Sequence, residues 1–153
     1  MKATKLTNKE IDKTELPVIG IFATCDPRID KDSRTRAKNI VKMAANQIAG
    51  HVVSPDKKEI PVVYSEILVD GERQADQVSV QFKKAGVNII ICVPDTWAFP
   101  QLTVMSLLAH FPNDTPFNFT TGNSGPRPGV VFTHATNGAL AQSGPVSYTH
   151  LTL

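Results

Sequence analysis

The chain has 153 residues, of which 41% are hydrophobic and 20% charged, and Lys plus Arg exceed Asp plus Glu by only two, 16 against 14. That length suits one domain with its own core. The near balance of charge, with basic residues scattered rather than gathered into a stripe, gives no footprint for nucleic acid or an anionic membrane, and no apolar run approaches the roughly 20 residues of a membrane helix.

Residues 1–16 are polar and Lys-rich with no apolar stretch, so they do not form a secretory signal and read as a polar extension. Val18-Ile19-Gly20-Ile21-Phe22 is a compact apolar run stopped by Cys25-Asp26-Pro27, a first strand. A helix comes next, from about Ser33 to Ile48. Its apolar positions Ala37, Ile40, Val41, Ala44, Ala45 and Ile48 share one face, and Gly50 supplies the stop. Pro61 to Ser65 is a second strand, with irregular chain up to Asp70-Gly71. Ala75, Val78, Phe82 and Ala85 mark a second amphipathic helix closed by Gly86.

Val87 to Val93 is a third strand, apolar on both faces except at Asn88, as expected of a parallel strand covered on both sides. The chain turns through Asp95-Thr96-Trp97, and a third helix is predicted from Gln101 to His110. Pro116 to Thr120 is a fourth strand and 122–129 a Gly/Pro-rich loop. A fourth helix is predicted over 129–143, with Gly138 in its middle counting against it. Cys25 and Cys92 read as reduced thiols, and a soluble cytoplasmic protein is the expectation.

Four βα units in succession predict an α/β fold, a flavodoxin-like (Rossmann-like) doubly wound parallel sheet in a three-layer sandwich with right-handed crossovers. In such sheets ligands sit beyond the carboxyl ends of the strands, where strand order reverses. With the order 2-1-3-4, that crevice lies between the first and third strands. Cys25-Asp26-Pro27-Arg28, Pro94-Asp95-Thr96-Trp97 and the Gly-Pro-Arg-Pro-Gly segment at 125–129 should then share one rim.

Those residues suit a polyhydroxylated ligand. Arg28 offers a fork of donors, Trp97 a flat apolar face with one N–H, and Asp26 and Asp95 can orient the arginine or accept from hydroxyls. Plainer readings stand beside these: an exposed loop arginine, a tryptophan that only packs, an aspartate that only forms a turn. Other chemistries find no support. Ala23-Thr24-Cys25 stands where a dinucleotide glycine motif would begin, there is no P-loop, and Pro126 and Pro128 remove donors from the one Gly-rich loop. His51, His110, His134 and His150 have no chelating spacing, and Cys25 reads as a small buried hydrophobe more readily than as a nucleophile.

Ile19-Gly20-Ile21 with Asp26-Pro27-Arg28, the strand end Cys92-Val93-Pro94-Asp95-Thr96-Trp97, and Arg127-Pro128-Gly129 opening a helix together resemble the L-fucose isomerase family, including its L-fucose/L-arabinose isomerase-like members. The resemblance runs from about Leu16 to Gly144 and implies the first domain, 17–144, of a cytoplasmic, homo-oligomeric (often hexameric) aldose–ketose isomerase of carbohydrate metabolism. It implies a divalent metal, usually Mn2+, held by Glu, Asp and His of later domains. It also implies proton transfer between C1 and C2 through an ene-diol. No catalytic or metal-binding residue carries over to this chain. Arg28 and Trp97 match the positions that, in the family, reach into a neighbouring subunit's active site to hold the sugar.

The chain is expected to be an inactive fragment, truncated after about four βα units, and residues 145–153 resemble translated adapter sequence, a non-native tail. The alternatives are a free-standing flavodoxin-like binding module for a small molecule and a purely structural assembly domain. Neither nucleic acid nor membrane is expected as a partner; a small sugar is.

Overall fold

The computed structural model describes residues 2–6, 16–95, 98, 101–113 and 115–119. Its elements, in chain order, are β1 (Thr4–Lys5), β2 (Val18–Thr24), α1 (Lys31–Ile48), β3 (Val62–Val69), α2 (Glu72–Lys84), β4 (Val87–Pro94), α3 (Val104–Leu108) and β5 (Phe117–Phe119). The strands form one sheet in the order β1-β3-β2-β4-β5, and every pairing is parallel. The α/β doubly wound architecture is therefore as the sequence predicts. β1 is an addition: within the polar extension, Thr4 and Lys5 pair with Val63 and Tyr64, and Leu6 is buried. A run this short and polar carries no periodic signal, and the exposed edge of β3 supplies the template for it.

All seven residues of β2 are buried, and they alternate between two cores. Val18 and Phe22 face a core shared with Val78 and Phe82 of α2 and Val104 and Leu107 of α3. Ile19, Ile21, Ala23 and Cys25 face a second core with Ala37, Ile40, Val41, Ala44 and Ala45 of α1. The period of two along the strand thus distributes its side chains to opposite layers. One helix covers one face and two cover the other. The chain leaves β2 towards β3 through α1 and returns past it to β4 through α2, so right-handed crossovers demand opposite faces.

Two local features correct the sequence picture in detail. Asn88, the one polar residue in the apolar run, is a bulge: Val18 pairs with Val87 but Ile19 with Ile89. The extra residue shifts the phase, so Val87 and Ile90 face one core while Ile89 and Ile91 pack against the other. The Asn88 Oδ1 accepts from the Val18 N–H at 2.8 Å. β3 also runs on to Val69, replacing the irregular chain expected after Ser65. Its register against β2 slips between Ile21 and Ala23. Ser65 fills the slip, its Oγ accepting from the Ile67 N–H at 3.1 Å and donating to Gln81 Oε1 at 2.8 Å. Glu66 of β3 is ion-paired to Lys5 of β1 at 2.6 Å.

The helices end where the glycines predict: Gly50 and Gly86 take φ of 82° and 69°, the left-handed region that favours glycine. α1 begins two residues before the expected Ser33 because Asp30 caps it, accepting from the Ser33 N–H at 2.7 Å. α3 is shorter than the predicted Gln101–His110. The loop at 122–129 and the helix predicted over 129–143 lie outside the described residues.

Gly20 sits where β2 passes closest to α2 and β4. A Cβ there would lie 2.6 Å from Val87 Cγ1 and 2.9 Å from a ring carbon of Phe82. Phe82 is itself fixed edge-to-face against Phe22, with centroids 6.2 Å apart at 75°. Neither neighbour is a flexible chain end, so Gly20→Ala should destabilise the fold by about 1–3 kcal/mol. Urea unfolding checks this, and an unchanged midpoint would show that the two side chains give way freely.

Candidate functional site

Strand order reverses between β2 and β4, and the site is built from the residues just beyond the carboxyl ends of these strands and of β3. β2 and β4 are joined up to the rim by the Asp95 N–H, which donates to Thr24 O at 3.0 Å. β2 and β3 are joined by the Cys25 N–H, donating to Val69 O at 3.2 Å. Three aspartates come almost immediately after these adjacent strands: Asp70 after Val69, Asp26 two residues after Thr24, and Asp95 after Pro94. Each is paired with an arginine from the connection out of β2 or from the first turns of α1.

Asp26 and Arg28 form the tightest pair. The Arg28 Nε donates to Asp26 Oδ1 at 2.9 Å and Nη2 to Oδ2 at 2.6 Å, a fork-to-fork geometry. The Arg28 backbone N–H adds a bond to the same Oδ1 at 2.8 Å, closing an Asx turn. The Asp26 side chain is 12% exposed and that of Arg28 is 78% exposed. The guanidinium side-chain bonds, with the backbone bond second, hold the Asp26 carboxyl down at about 2. Arg28 is consequently fixed along one edge and open to solvent along the other.

Arg34 and Arg36 divide the remaining work. Residues two apart on a helix point about 200° apart around its axis, so the two side chains fan towards opposite neighbours of β2. Arg34 Nη2 reaches Asp70 Oδ2 at 2.7 Å and the Pro27 carbonyl at 2.9 Å. Arg36 Nη2 reaches Asp95 Oδ2 at 3.2 Å, and the Asp95 side chain is only 1% exposed. The Asp30 cap meanwhile takes up the Ser33 N–H at the start of α1, and that bond keeps its own carboxyl below the usual range.

Among the described residues, neither the thiols nor the rim carboxylates are set up as reacting groups. Cys25 lies beneath the rim fully buried, and loss of solvation pushes its thiol up to about 11; Cys92, in the other core, is pushed up to about 12 for the same reason. A thiol that stays protonated is no nucleophile at neutral pH. The rim carboxylates do not fit a divalent metal, since each is engaged by a guanidinium. Among the described residues no group of three or more His, Cys, Asp or Glu could hold one. Of the histidines, His110 bonds Asp76 at 2.7 Å, and His134 and His150 lie outside the described residues.

Asp26, Arg28 and Asp95 are thus brought to one rim. Trp97 comes two positions after Asp95 but, like Arg127-Pro128-Gly129, lies outside the described residues. Sequence reasoning missed Asp70, Arg34 and Arg36. Asp70-Gly71 reads only as a turn, and the two arginines fall on the side of α1 away from its apolar stripe. The available signal was their placement in the first helical turns after the strand end at the switch point.

The model of the first N-terminal domain of L-fucose isomerase matches the chain over residues 16–151. The chain belongs to the L-fucose isomerase family. No curated protein matches it. The family match spans β2 to β5 and runs beyond Gly144, into the 145–153 segment expected to be a non-native tail; that segment lies outside the described residues. Membership links this domain to isomerases of carbohydrate metabolism. No helix among the described residues is long and apolar enough to cross a membrane.

The Asp26–Arg28 pair gives a measurable signature. A carboxyl depressed in the folded state stabilises the fold fully above its unfolded value near 3.9, and that stabilisation is lost progressively as pH falls from there through the folded value. Carboxyl NMR should therefore find Asp26 titrating at about 2, and Arg28→Ala should return it towards about 4. A wild-type midpoint already near 4 would mean that the pair is not formed in solution.

Proposed function

We propose that this domain contributes the substrate contacts, and none of the reacting groups, of a metal-dependent aldose–ketose isomerase acting on L-fucose or a closely related sugar. Arg28 and Trp97 are the contact residues. The observation that carries this reading is the state of Arg28 at the switch-point rim: 78% exposed, yet fixed by Asp26 along one edge. A guanidinium so held offers its outer donors to ring or chain hydroxyls with little further loss of freedom.

Charge supports a neutral sugar over a phosphorylated one. Arg28, Arg34 and Arg36 face Asp26, Asp70 and Asp95 one for one, so none of these three cations is left over for a phosphate. The helix N-terminus at the rim, otherwise a ready anion site, is capped by Asp30. The acid–base groups and the Mn2+ ligands of the reaction belong, in this reading, to other parts of the isomerase polypeptide.

Assembly into a homo-oligomer is part of the proposal. Met43 on α1, Val80 on α2 and Met105 on α3 are 51%, 51% and 40% exposed on the outer faces of the helices. Two shallow, open depressions along the outer face of α1 share Asn39 and Met43. These surfaces are available to neighbouring domains or subunits.

The test is Arg28→Ala and Trp97→Ala in the isomerase polypeptide carrying this domain. A lost charge-assisted hydrogen bond is worth about 1.5–3 kcal/mol, so kcat/KM for L-fucose should fall by on the order of 10- to 100-fold while the oligomer measured by light scattering is unchanged. Unaltered kinetics in both variants would leave the domain a purely structural role.

A further inference from the structure

We infer that Arg34 is a positioning residue for Arg28, acting through the Pro27 carbonyl; the inference rests on the sugar-contact reading of Arg28. One nitrogen of Arg34 bridges two groups, donating to Asp70 Oδ2 at 2.7 Å and to Pro27 O at 2.9 Å. Asp70 stands at the carboxyl end of β3, and Pro27 is the residue immediately before Arg28. The guanidinium therefore ties the connection bearing Arg28 to the end of a strand that this connection does not itself adjoin in sequence.

Two backbone bonds of that connection can be followed. The Cys25 N–H reaches Val69 O at 3.2 Å, at the upper end of the usual range, and the Ile29 N–H reaches Asp26 O at 3.3 Å, slightly beyond it. Pro27 has no N–H to contribute. The Asp26–Arg28 fork fixes the two side chains relative to each other, but it moves with the connection that carries both. Arg34 anchors this unit to the sheet. Its partner is well chosen for that: the Asp70 side chain is 10% exposed, which keeps the charge pair from being dissolved by solvent.

The Arg34 side chain is 34% exposed against 78% for Arg28, and its Nη2 is taken up by Asp70 and Pro27, so its effect on the sugar should pass through Arg28. A double-mutant cycle reads that directly. Arg34→Ala alone should lower kcat/KM for L-fucose by on the order of ten-fold, the scale of a contact misplaced by a fraction of an ångström. Added to Arg28→Ala, it should lower it no further than about two-fold. Arg34→Lys, which restores a cation but not the planar fork, should recover part of the loss.

A residue that merely supports folding would instead lower the amount of active enzyme by the same factor in both backgrounds. Additive losses overturn the inference, as does normal kcat/KM in Arg34→Ala when Arg28→Ala is impaired. If Arg28→Ala itself is unimpaired, the sugar-contact reading fails and this one falls with it. Should Arg34→Ala not fold, Asp70→Asn serves in its place: it removes the charge that holds the guanidinium and should give a smaller loss, again absent when Arg28 is Ala.

Discussion

β2 is buried on both faces and hydrogen-bonded along both edges, and the rest of the domain is arranged around that constraint. Its side chains alternate between two cores, so helices must lie on both sides of the sheet. A parallel strand in this position needs crossovers in both directions, one to β3 and one back to β4. The reversal of strand order is the result, and with it comes a crevice at the carboxyl ends whose walls are drawn from distant stretches of sequence. Gly20 leaves no room for a side chain, because Val87 of β4 and Phe82 of α2 both close on it.

The same burial sets the electrostatics of the rim. Carboxylates at the ends of central strands lose solvation, and a poorly solvated charge needs a partner. The first turns of α1 are the nearest source of cations, since that helix starts where β2 ends. Arg34 and Arg36 answer Asp70 and Asp95, and Arg28 answers Asp26. The outcome is a neutral surface rich in fixed donors, with one guanidinium edge left facing outwards. In the proposed reading, such a surface would discriminate by hydroxyl geometry more than by charge, as an unphosphorylated sugar requires. Among the described residues, the rim carboxylates are engaged by guanidinium groups and the two thiols are kept protonated by burial.

Much of this was legible along the chain. Apolar periodicity located β2, α1, α2 and β4, and Gly50 and Gly86 marked the helix ends by the backbone conformation they permit. Asn88 was visible as an exception, but its meaning was not: a bulge is a property of a pair of strands, and a single strand cannot reveal its partner's register. β1 was illegible for the same reason, since its two residues are ordered by the edge of β3. At the rim, Asp26, Arg28 and Asp95 could be placed from strand ends alone, whereas Arg34 and Arg36 looked like any polar helix positions.

The sequence by itself determined the α/β class, the order of the elements from β2 onward and the family, because these depend on local periodicity, turn chemistry and motifs that sit in continuous stretches. Only the tertiary structure decided which charges meet. The pairing of Arg34 with Asp70, 36 residues away, and of Arg36 with Asp95, 59 away, depends on α1 lying across the strand ends at one particular rotation. That rotation is fixed by the packing of Ala37, Val41 and Ala45 against the sheet, a cooperative outcome of the whole core that no local stretch of residues encodes.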